Sequence, residues 1–221
     1  MKARHSTIGG ASISIRTMDG TYVMCDDEKP RGVTVDVHCR HLSPCWPNPL
    51  YSTYYTKLLD VYGVGPVFVW EGKRIVGFLP VSVSNCGIPE LPLCVHYNGG
   101  LAYGAEQHID LPMVQKAEAI PFEKLSPKEI KIGCMTVHPG LRGKGLAVSM
   151  IEYLAHWARD RGWERVRARA MLDGESEAFY PTSSWWKELG FRPVGGIRPF
   201  GPSRNPVDRS KAIDLELDLR E

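Results

Sequence analysis

Residues 137–147, with the sequence VHPGLRGKGLA, combine backbone freedom with positive charge. Three glycines and two cationic side chains fall within these eleven residues, and an apolar-periodic segment follows them. The first amides of a helix have no partner inside it, the helix dipole favours negative charge there, and glycine lets an anion approach the backbone. The stretch therefore predicts a phosphate or pyrophosphate site between a strand and a helix.

The spacing of the glycines decides between the known kinds of phosphate loop. A P-loop is excluded, because Lys144 is followed by Gly145 and the position of the first P-loop glycine holds His138. The dinucleotide-binding fingerprint is excluded as well, because Val148 stands where its third glycine or alanine belongs. The remaining possibility is a loop that binds the pyrophosphate of some other ligand.

The remaining pattern is Arg-x-x-Gly-x-Ala at Arg142, Gly145 and Ala147, after Val-His-Pro. It resembles the coenzyme A pyrophosphate loop of the GNAT acyltransferases, whose pattern is Gln/Arg-x-x-Gly-x-Gly/Ala after a strand that ends in Val-x-Pro. A later segment, WWKELGF, resembles the family's Phe-Tyr-x-x-x-Gly-Phe signature. The resemblance covers two stretches of the chain, residues 67–83 and 130–191.

This resemblance implies an α+β GNAT fold with a mixed, mostly antiparallel central sheet, flanking helices and a splay at the motif strand. It implies acetyl-CoA as the cofactor and direct transfer of the acetyl group to a primary amine in a ternary complex. The pantetheine arm would lie along the edge of the motif strand. The residues then expected to bind the cofactor are Met135, Val137, Arg142, Gly143, Lys144, Gly145, Leu146 and Ala147.

The transfer also needs a base and an acid, because an alkylammonium has a pKa of about 10.4 and the leaving thiolate needs a proton. The family often carries its acid as the Tyr of Phe-Tyr-x-x-x-Gly-Phe, and Trp186 stands there, whose indole donates a hydrogen bond but no useful proton. Tyr180 is therefore the candidate acid. Residues 130–137 contain no carboxylate, so Glu177 is the candidate base. The alternative bases are His96 and His138.

Three further observations bear on the substrate and on metals. Arg165, Arg167 and Arg169 share one face of an alternating strand, which indicates either a carboxylate- or phosphate-bearing acceptor, if that face lines the acceptor cleft, or a solvated or ion-paired strand face. Cys134, on the motif strand, fits a small core residue better than a nucleophile. Histidines and cysteines around residues 38–45 match no regular zinc spacing, so no metal site is predicted.

The elements that must position these residues follow from hydrophobic periodicity. The predicted helices cover residues 48–62, 146–161 and 184–189. The predicted strands cover residues 67–70, 75–83, 130–137, 165–171 and 213–219, of which the first two form a hairpin. We predict a single domain over residues 1–221, with an N-terminal extension over about 1–50 and an insertion over about 85–127.

The composition is that of a soluble globular protein, with 43% hydrophobic and 24% charged residues. Because 27 Lys and Arg stand against 25 Asp and Glu, bulk charge gives no reason to expect nucleic acid as a partner. The N-terminus shows no signal-peptide pattern and no segment is long enough to cross a bilayer, so we expect a cytoplasmic protein without a membrane partner, whose six cysteines are reduced.

Three functions are compatible with these observations. The favoured one is an N-acetyltransferase with a small-molecule amine acceptor. The alternatives are an acetyltransferase for protein N-termini or lysines, and a coenzyme A-binding sensor without turnover. The sequence leaves a homodimer open.

Overall fold

A computed structural model describes the greater part of the chain. Its described residues are 4–8, 11–17, 34–35, 49–72, 74–90, 95–97, 100–102, 109–133, 135–174, 181–199 and 211–221. The helices among them are α1 (Pro49–Tyr62), α2 (Leu111–Lys116), α3 (Leu146–Arg159) and α4 (Ser183–Glu188). The strands are β1 (Arg4–Ile8), β2 (Ala11–Thr17), β3 (Thr34–Val35), β4 (Val67–Glu71), β5 (Arg74–Leu79), β6 (Val81–Val83), β7 (Val95–Tyr97), β8 (Gly100–Ala102), β9 (Glu129–Ile132), β10 (Thr136–Val137), β11 (Arg165–Met171), β12 (Arg192–Pro199) and β13 (Lys211–Asp218).

Most of these strands belong to two sheets. The first sheet has the order β1-β2-β4-β5-β10, with β3 beside β5, and the second has the order β12-β13-β11-β9-β6. Strands β7 and β8 pair with each other. Parallel pairing links β3 to β5 and β9 to β11, whereas the other pairs are antiparallel. The predicted α+β fold with mixed, mostly antiparallel strands is confirmed.

The strand predicted over residues 130–137 is divided between the two sheets. Its first part, β9, pairs with β6 and β11, and its second part, β10, pairs with β5. Strands β5 and β6 adjoin at Pro80, whose carbonyl accepts a hydrogen bond from the N–H of Gly133 at 2.8 Å. Two neighbouring stretches of chain thus run through both sheets, and we call the stretch from Glu129 to Val137 the motif strand.

The pairing along the motif strand moves by one residue between the sheets. Ile132 pairs with Val81, and Thr136 pairs with Phe78, so four steps on the motif strand match three on its partner. An extra residue of this kind is a β-bulge, which bends a strand and increases its twist. Beyond the pair of Arg167 with Lys131, the described residues show no further pairing between β11 and the motif strand. The predicted splay lies here.

Helix α3 packs against the first sheet, where it contacts β2, β4, β5 and β10. It starts after Gly145 and ends three residues before Gly162, and both glycines have a left-handed backbone conformation. The spacing of Val148, Ile151, Ala155 and Ala158 predicts a narrow apolar stripe, but the buried face is wider because the helix meets four strands. Val148 is only half-buried, whereas three side chains outside that stripe are buried: Met150, Tyr153 and Trp157.

The close approach of α3 to the sheet depends on Gly77 of β5. A Cβ atom at this position would lie 2.7 Å from Cγ2 of Val69 and 3.5 Å from Sδ of Met150. A larger residue would displace the β-branched Val69 side chain, which is buried and stiff. Because Gly77 pairs with Val137, this packing also fixes the end of the motif strand.

Helix α1 anchors the predicted insertion over residues 85–127 through a side chain at its end. The hydroxyl of Tyr62 donates to the carbonyls of Ile120 at 2.5 Å and Cys86 at 3.1 Å, and burial raises the pKa of Tyr62 to about 12. Both carbonyls belong to the predicted insertion, so α1 holds its two ends near each other. The boundaries of that insertion remain a prediction.

At the N-terminus, β1 pairs with β2 and β2 pairs with β4, so residues 4–17 extend the first sheet. The limits of the predicted N-terminal extension are not settled by this pairing and stay a prediction. None of the described helices combines the length and the apolar character that crossing a membrane requires.

Candidate active site

The loop after β10 presents a run of unused backbone donors. Among the described residues, none accepts a hydrogen bond from the amides of residues 143–148. The first hydrogen bond of α3 runs from the N–H of Ser149 to the carbonyl of Gly145 at 3.0 Å, and the N–H of Arg142 donates to Pro139 at 3.2 Å. Successive free amides at the positive end of a 14-residue helix attract an anion with several oxygen atoms.

Gly143 and Gly145 give this loop its shape. Their φ angles are 71° and 81°, in the left-handed region that strains other residues. A Cβ atom at either position would have no atom of the described chain within 4 Å. The glycines are therefore required by the backbone conformation, and the face of the loop over them is open to a ligand.

This loop carries two exposed cationic side chains, those of Arg142 and Lys144. The Nε of Arg142 donates to the carbonyl of Val137 at 3.2 Å, so this guanidinium folds back over the motif strand. Lys144 lies between the two glycines and is exposed. The side chain of Leu146 is buried and that of Ala147 is half-buried, so these two offer a ligand chiefly their backbone.

The end of the motif strand has an unpaired edge. Within the described chain β10 pairs with β5 alone, and the N–H of His138 donates to Val76 at 2.8 Å. Backbone groups of alternate residues point to opposite sides of a strand, so those of Val137 point away from β5, as its contact with Arg142 also requires. The alternation predicts the same for Met135. An extended ligand with amide groups could bind this edge as an added strand.

Trp186, at the position of the family's acid, is a core residue. Its side chain is 3% exposed, and its ring makes edge contacts with Phe191 at 4.9 Å and Trp185 at 5.0 Å between ring centroids. No described residue accepts a hydrogen bond from its Nε1. Trp186 therefore holds α4 in place and does not act as an acid.

The candidate acid Tyr180 and the candidate base Glu177 lie outside the described residues. The same holds for Cys134, for the side chain of His96 and for the histidines and cysteines around residues 38–45. In the described part, no group of three or more His, Cys, Asp or Glu side chains could hold a metal ion. These assignments stay predictions.

The described residues on both sides of segment 175–180 are anchored near one point. Asp173 accepts hydrogen bonds from the hydroxyl of Ser184 at 2.5 Å and from its N–H at 3.2 Å. Hydrogen bonds from the hydroxyls of Ser184 and Thr182 lower the pKa of Asp173 to about 2. Met171 and Thr182 also form an isolated parallel β-bridge. Asp173 and Thr182 therefore both lie beside the end of β11, past the splay.

The alternative base His138 takes part in the turn before the loop. Its Nδ1 accepts a hydrogen bond from the N–H of Gly140 at 3.2 Å. This contact uses the acceptor nitrogen of the neutral imidazole, which a base would need. The geometry favours a structural role in capping the turn that leads from the motif strand to the loop.

The arginine face of β11 is ion-paired. Arg165 and Arg167 contact the carboxylate of Glu216 at 3.3 and 3.1 Å, and the Nε of Arg169 contacts Asp214 at 3.0 Å. The pairs join β11 to β13, its antiparallel neighbour. Of the two alternatives for these arginines, pairing with neighbouring strands is the one that the structure contains.

The sequence reasoning missed Glu129, one residue before the predicted strand. Its side chain is 1% exposed, accepts a short hydrogen bond from the hydroxyl of Ser84 and lies 2.9 Å from Nη2 of Arg167. Alternation puts Glu129 and Lys131 on one face of their strand, but only the pairing of β9 with β11 shows that this is also the face of the arginines. A carboxylate therefore does lie on the motif strand, at its beginning.

Comparison with known proteins gives one match to a family model and several likenesses to solved structures. The model of the acetyltransferase (GNAT) family matches residues 35–182. The N-acetyltransferase of Staphylococcus aureus Mu50 is 12% identical, with 94% of this chain and 98% of that chain covered and a TM-score of 0.49. YncA of Salmonella typhimurium, with its cofactor acetyl-CoA, is 13% identical, with 94% of each chain covered and a TM-score of 0.49. Ard1 of Thermoplasma volcanium is 14% identical, with 93% and 97% covered and a TM-score of 0.48.

At such identities and TM-scores these likenesses support no conclusion about this chain. No curated protein sequence matches the chain. The family model, in contrast, spans more than half of the chain and includes the loop, the motif strand and β11. The cofactor is acetyl-CoA, and the protein is an enzyme. The chain belongs to the GNAT family of acetyltransferases.

Proposed function

We propose that this acetyltransferase transfers the acetyl group of acetyl-CoA to the primary amine of a small molecule, in the cytoplasm and by direct attack in a ternary complex. The choice of acetyl-CoA as the acetyl donor rests on one observation: the unused amides of residues 143–148 lie beside the unpaired edge of β10. Transfer to a protein N-terminus or lysine, and cofactor sensing without turnover, are the alternatives.

The described residues fit coenzyme A at two places. The amides of residues 143–148, with Arg142 and Lys144 beside them, would hold the pyrophosphate, because they offer donors and positive charge without a side chain over Gly143 or Gly145. The backbone groups of Met135 and Val137 would hold the amide-bearing arm along the free edge. The two places are neighbours, since the loop directly follows the strand.

The cofactor supplies an acetyl group activated as a thioester. The amine nitrogen forms a bond to the carbonyl carbon, the carbon–sulfur bond breaks, the amine loses a proton and the thiolate gains one. Backbone N–H groups on the free edge of the motif strand would stabilise the charge that develops on the carbonyl oxygen. The proton carriers proposed are Tyr180 as acid and Glu177 as base, which lie in the sequence between β11 and α4.

Charge pairing near the splay favours a small acceptor over a basic protein tail. A lysine-rich tail needs unpaired acidic side chains, but the two half-buried acids of β13 near the splay, Asp214 and Glu216, each lie within ion-pair distance of an arginine. Their pairing removes the attraction such a tail would depend on. A small amine can be positioned by hydrogen bonds and shape complementarity and does not depend on this electrostatic attraction.

The test is coenzyme A release from acetyl-CoA in the presence of separate panels of small amines, amino acids and peptides with free N-termini or lysines. We expect turnover with one class of small amine. Turnover with peptides alone would favour the protein acetyltransferase. Micromolar cofactor binding by calorimetry without turnover on any panel would favour the sensor.

The donor site is tested by the double variant Arg142→Ala/Gly145→Asp. Its added carboxylate would repel the pyrophosphate, so we expect acetyl-CoA binding to be lost while the circular dichroism spectrum is kept. Gly63→Asp is the matched control, because Gly63 also has a positive φ and open space but lies at the end of α1. Undiminished affinity in the double variant would overturn the assignment of this loop.

A further inference from the structure

We propose that Glu129 is a positioning residue, which fixes the point at which β11 and the motif strand separate and thereby the geometry of the thioester site. The proposal rests on the proposed function in one respect: the arm of the cofactor is taken to lie along the edge of β10. Glu129 acts through its neighbours and needs no contact with either substrate.

Glu129 is the one buried charged side chain among the described residues. Ionised groups are tolerated in such places only with partners. The hydroxyl of Ser84 donates to its Oε1, the N–H of Ser84 donates to its carbonyl at 3.1 Å, and Nη2 of Arg167 lies 2.9 Å from its Oε2. The contact with Arg167 is an ion pair without hydrogen-bond geometry. One carboxylate therefore joins β9 to the strands on both of its sides.

These contacts lie at the closed end of the splay. Arg165 pairs with Glu129 itself, and Arg167, two residues further, pairs with Lys131 as the last described pair between the strands. The ion pair thus runs diagonally across the three residue pairs that precede the separation. Past it, β11 continues to Met171 beside β13, while the motif strand crosses to β5.

The position of Arg167 depends on a balance between two carboxylates. Its Nη2 lies 2.9 Å from Glu129, on the motif strand, and 3.1 Å from Glu216, on β13. In Glu129→Gln, Glu216 is the one carboxylate among the described partners of this guanidinium, and it is already shared with Arg165. The side chain would then turn towards β13 and no longer hold β11 against the motif strand, so the start of the splay would widen.

The direct test is Glu129→Gln, which keeps the shape and the acceptor for Ser84 but removes the charge. We expect kcat to fall about 10- to 100-fold, because displacement of about 1 Å in a site costs on that order. The KM for acetyl-CoA should change less than about threefold, since the loop lies at the other end of the motif strand. The pH profile should keep its shape. In the protein without cofactor, amide hydrogen exchange at residues 130–132 should be at least about tenfold faster.

Glu164→Gln is the matched control, because Glu164 approaches Arg165 only to 4.0 Å at a more exposed site just before β11. It should leave kcat and exchange unchanged. Arg167→Gln tests the route of the effect: Glu129→Gln should add no further loss of kcat in its presence. If Arg167→Gln does not fold, Ser84→Ala takes its place, with a smaller loss of kcat than Glu129→Gln and no further loss when the two are combined.

Loss of one limb of the pH profile in Glu129→Gln would overturn the proposal, because it would make Glu129 a proton carrier. Additive losses in the double variant, or unchanged kcat with unchanged exchange, would overturn it as well. Failure of the proposed function is recognised separately, since wild-type protein would then show no cofactor binding or no turnover. The exchange measurement needs neither and still decides whether Glu129 fixes the splay.

Discussion

Replacement of Gly145 by alanine separates the binding role of the loop from its contribution to stability. At a φ of 81° an L-residue costs about 1–2 kcal/mol, and no atom of the described chain would collide with the new Cβ. For a chain of this size each kcal/mol lowers Tm by about 2–4 °C, so we expect a fall of about 2–8 °C with the fold retained. Gly63→Ala, at a φ of 63° with equal space, should cost the same.

The two variants should differ in affinity for the cofactor. The added methyl group of Gly145→Ala occupies the open face of the loop and would displace the pyrophosphate from at least one amide. A hydrogen bond to a charged group contributes about 1.5–3 kcal/mol, which corresponds to a loss of about 10- to 150-fold in affinity. Titration calorimetry with coenzyme A measures this directly. Equal affinities for Gly145→Ala and wild type, or an equal loss in Gly63→Ala, would refute the reasoning.

Three further predictions concern stability. Gly87→Ala places a Cβ atom 2.2 Å from the carbonyl oxygen of Glu118 at a φ of 79°, so its Tm should fall by more than that of Gly63→Ala, and an equal fall would contradict the clash. Tyr62→Phe removes the hydrogen bond to Ile120 and should cost about 1 kcal/mol in urea unfolding; no loss would contradict it. Asp173 has a pKa of about 2 against an ordinary 3.8, so its carboxylate adds stability above pH 3.8 that is lost as the pH falls through 2. Asp173→Asn should therefore be less stable than wild type at pH 7 and match it near pH 2, and a constant difference would count against this role.

The sequence predicted most elements of the second half of the chain because their periodic signals are local, but it missed β12, whose residues include two prolines and two glycines and do not alternate. The alternation of residues 165–171 predicted β11 to the residue, and the helix predicted over residues 146–161 starts at Leu146 as expected but ends two residues earlier, at Arg159. The spacing of the glycines also distinguished this loop from P-loops and dinucleotide-binding loops. Spacing is informative because glycine is needed where the backbone becomes left-handed, and those positions differ between the kinds of loop. Gly143 and Gly145 have that conformation.

The division of the motif strand could not be predicted in the same way. The local pattern of residues 130–137 does not indicate that β9 pairs in one sheet and β10 in the other, because this pairing depends on strands that are distant in the sequence. Glu129 was missed for a related reason. A carboxylate before an apolar run is typical of an exposed strand end, and only Arg167 and Ser84, far along the chain, make it a buried partner.

The path of the motif strand also bears on how the chain folds. In the described part, β10 is the single strand that the second half of the chain contributes to the first sheet, and β6 is the single strand that the first half contributes to the second. Each half therefore completes its own sheet only with a strand from the other. Separate folding of the halves would leave two unprotected strand edges, which are prone to aggregate. We expect one cooperative unfolding transition, and two separately expressed halves that become structured only when mixed.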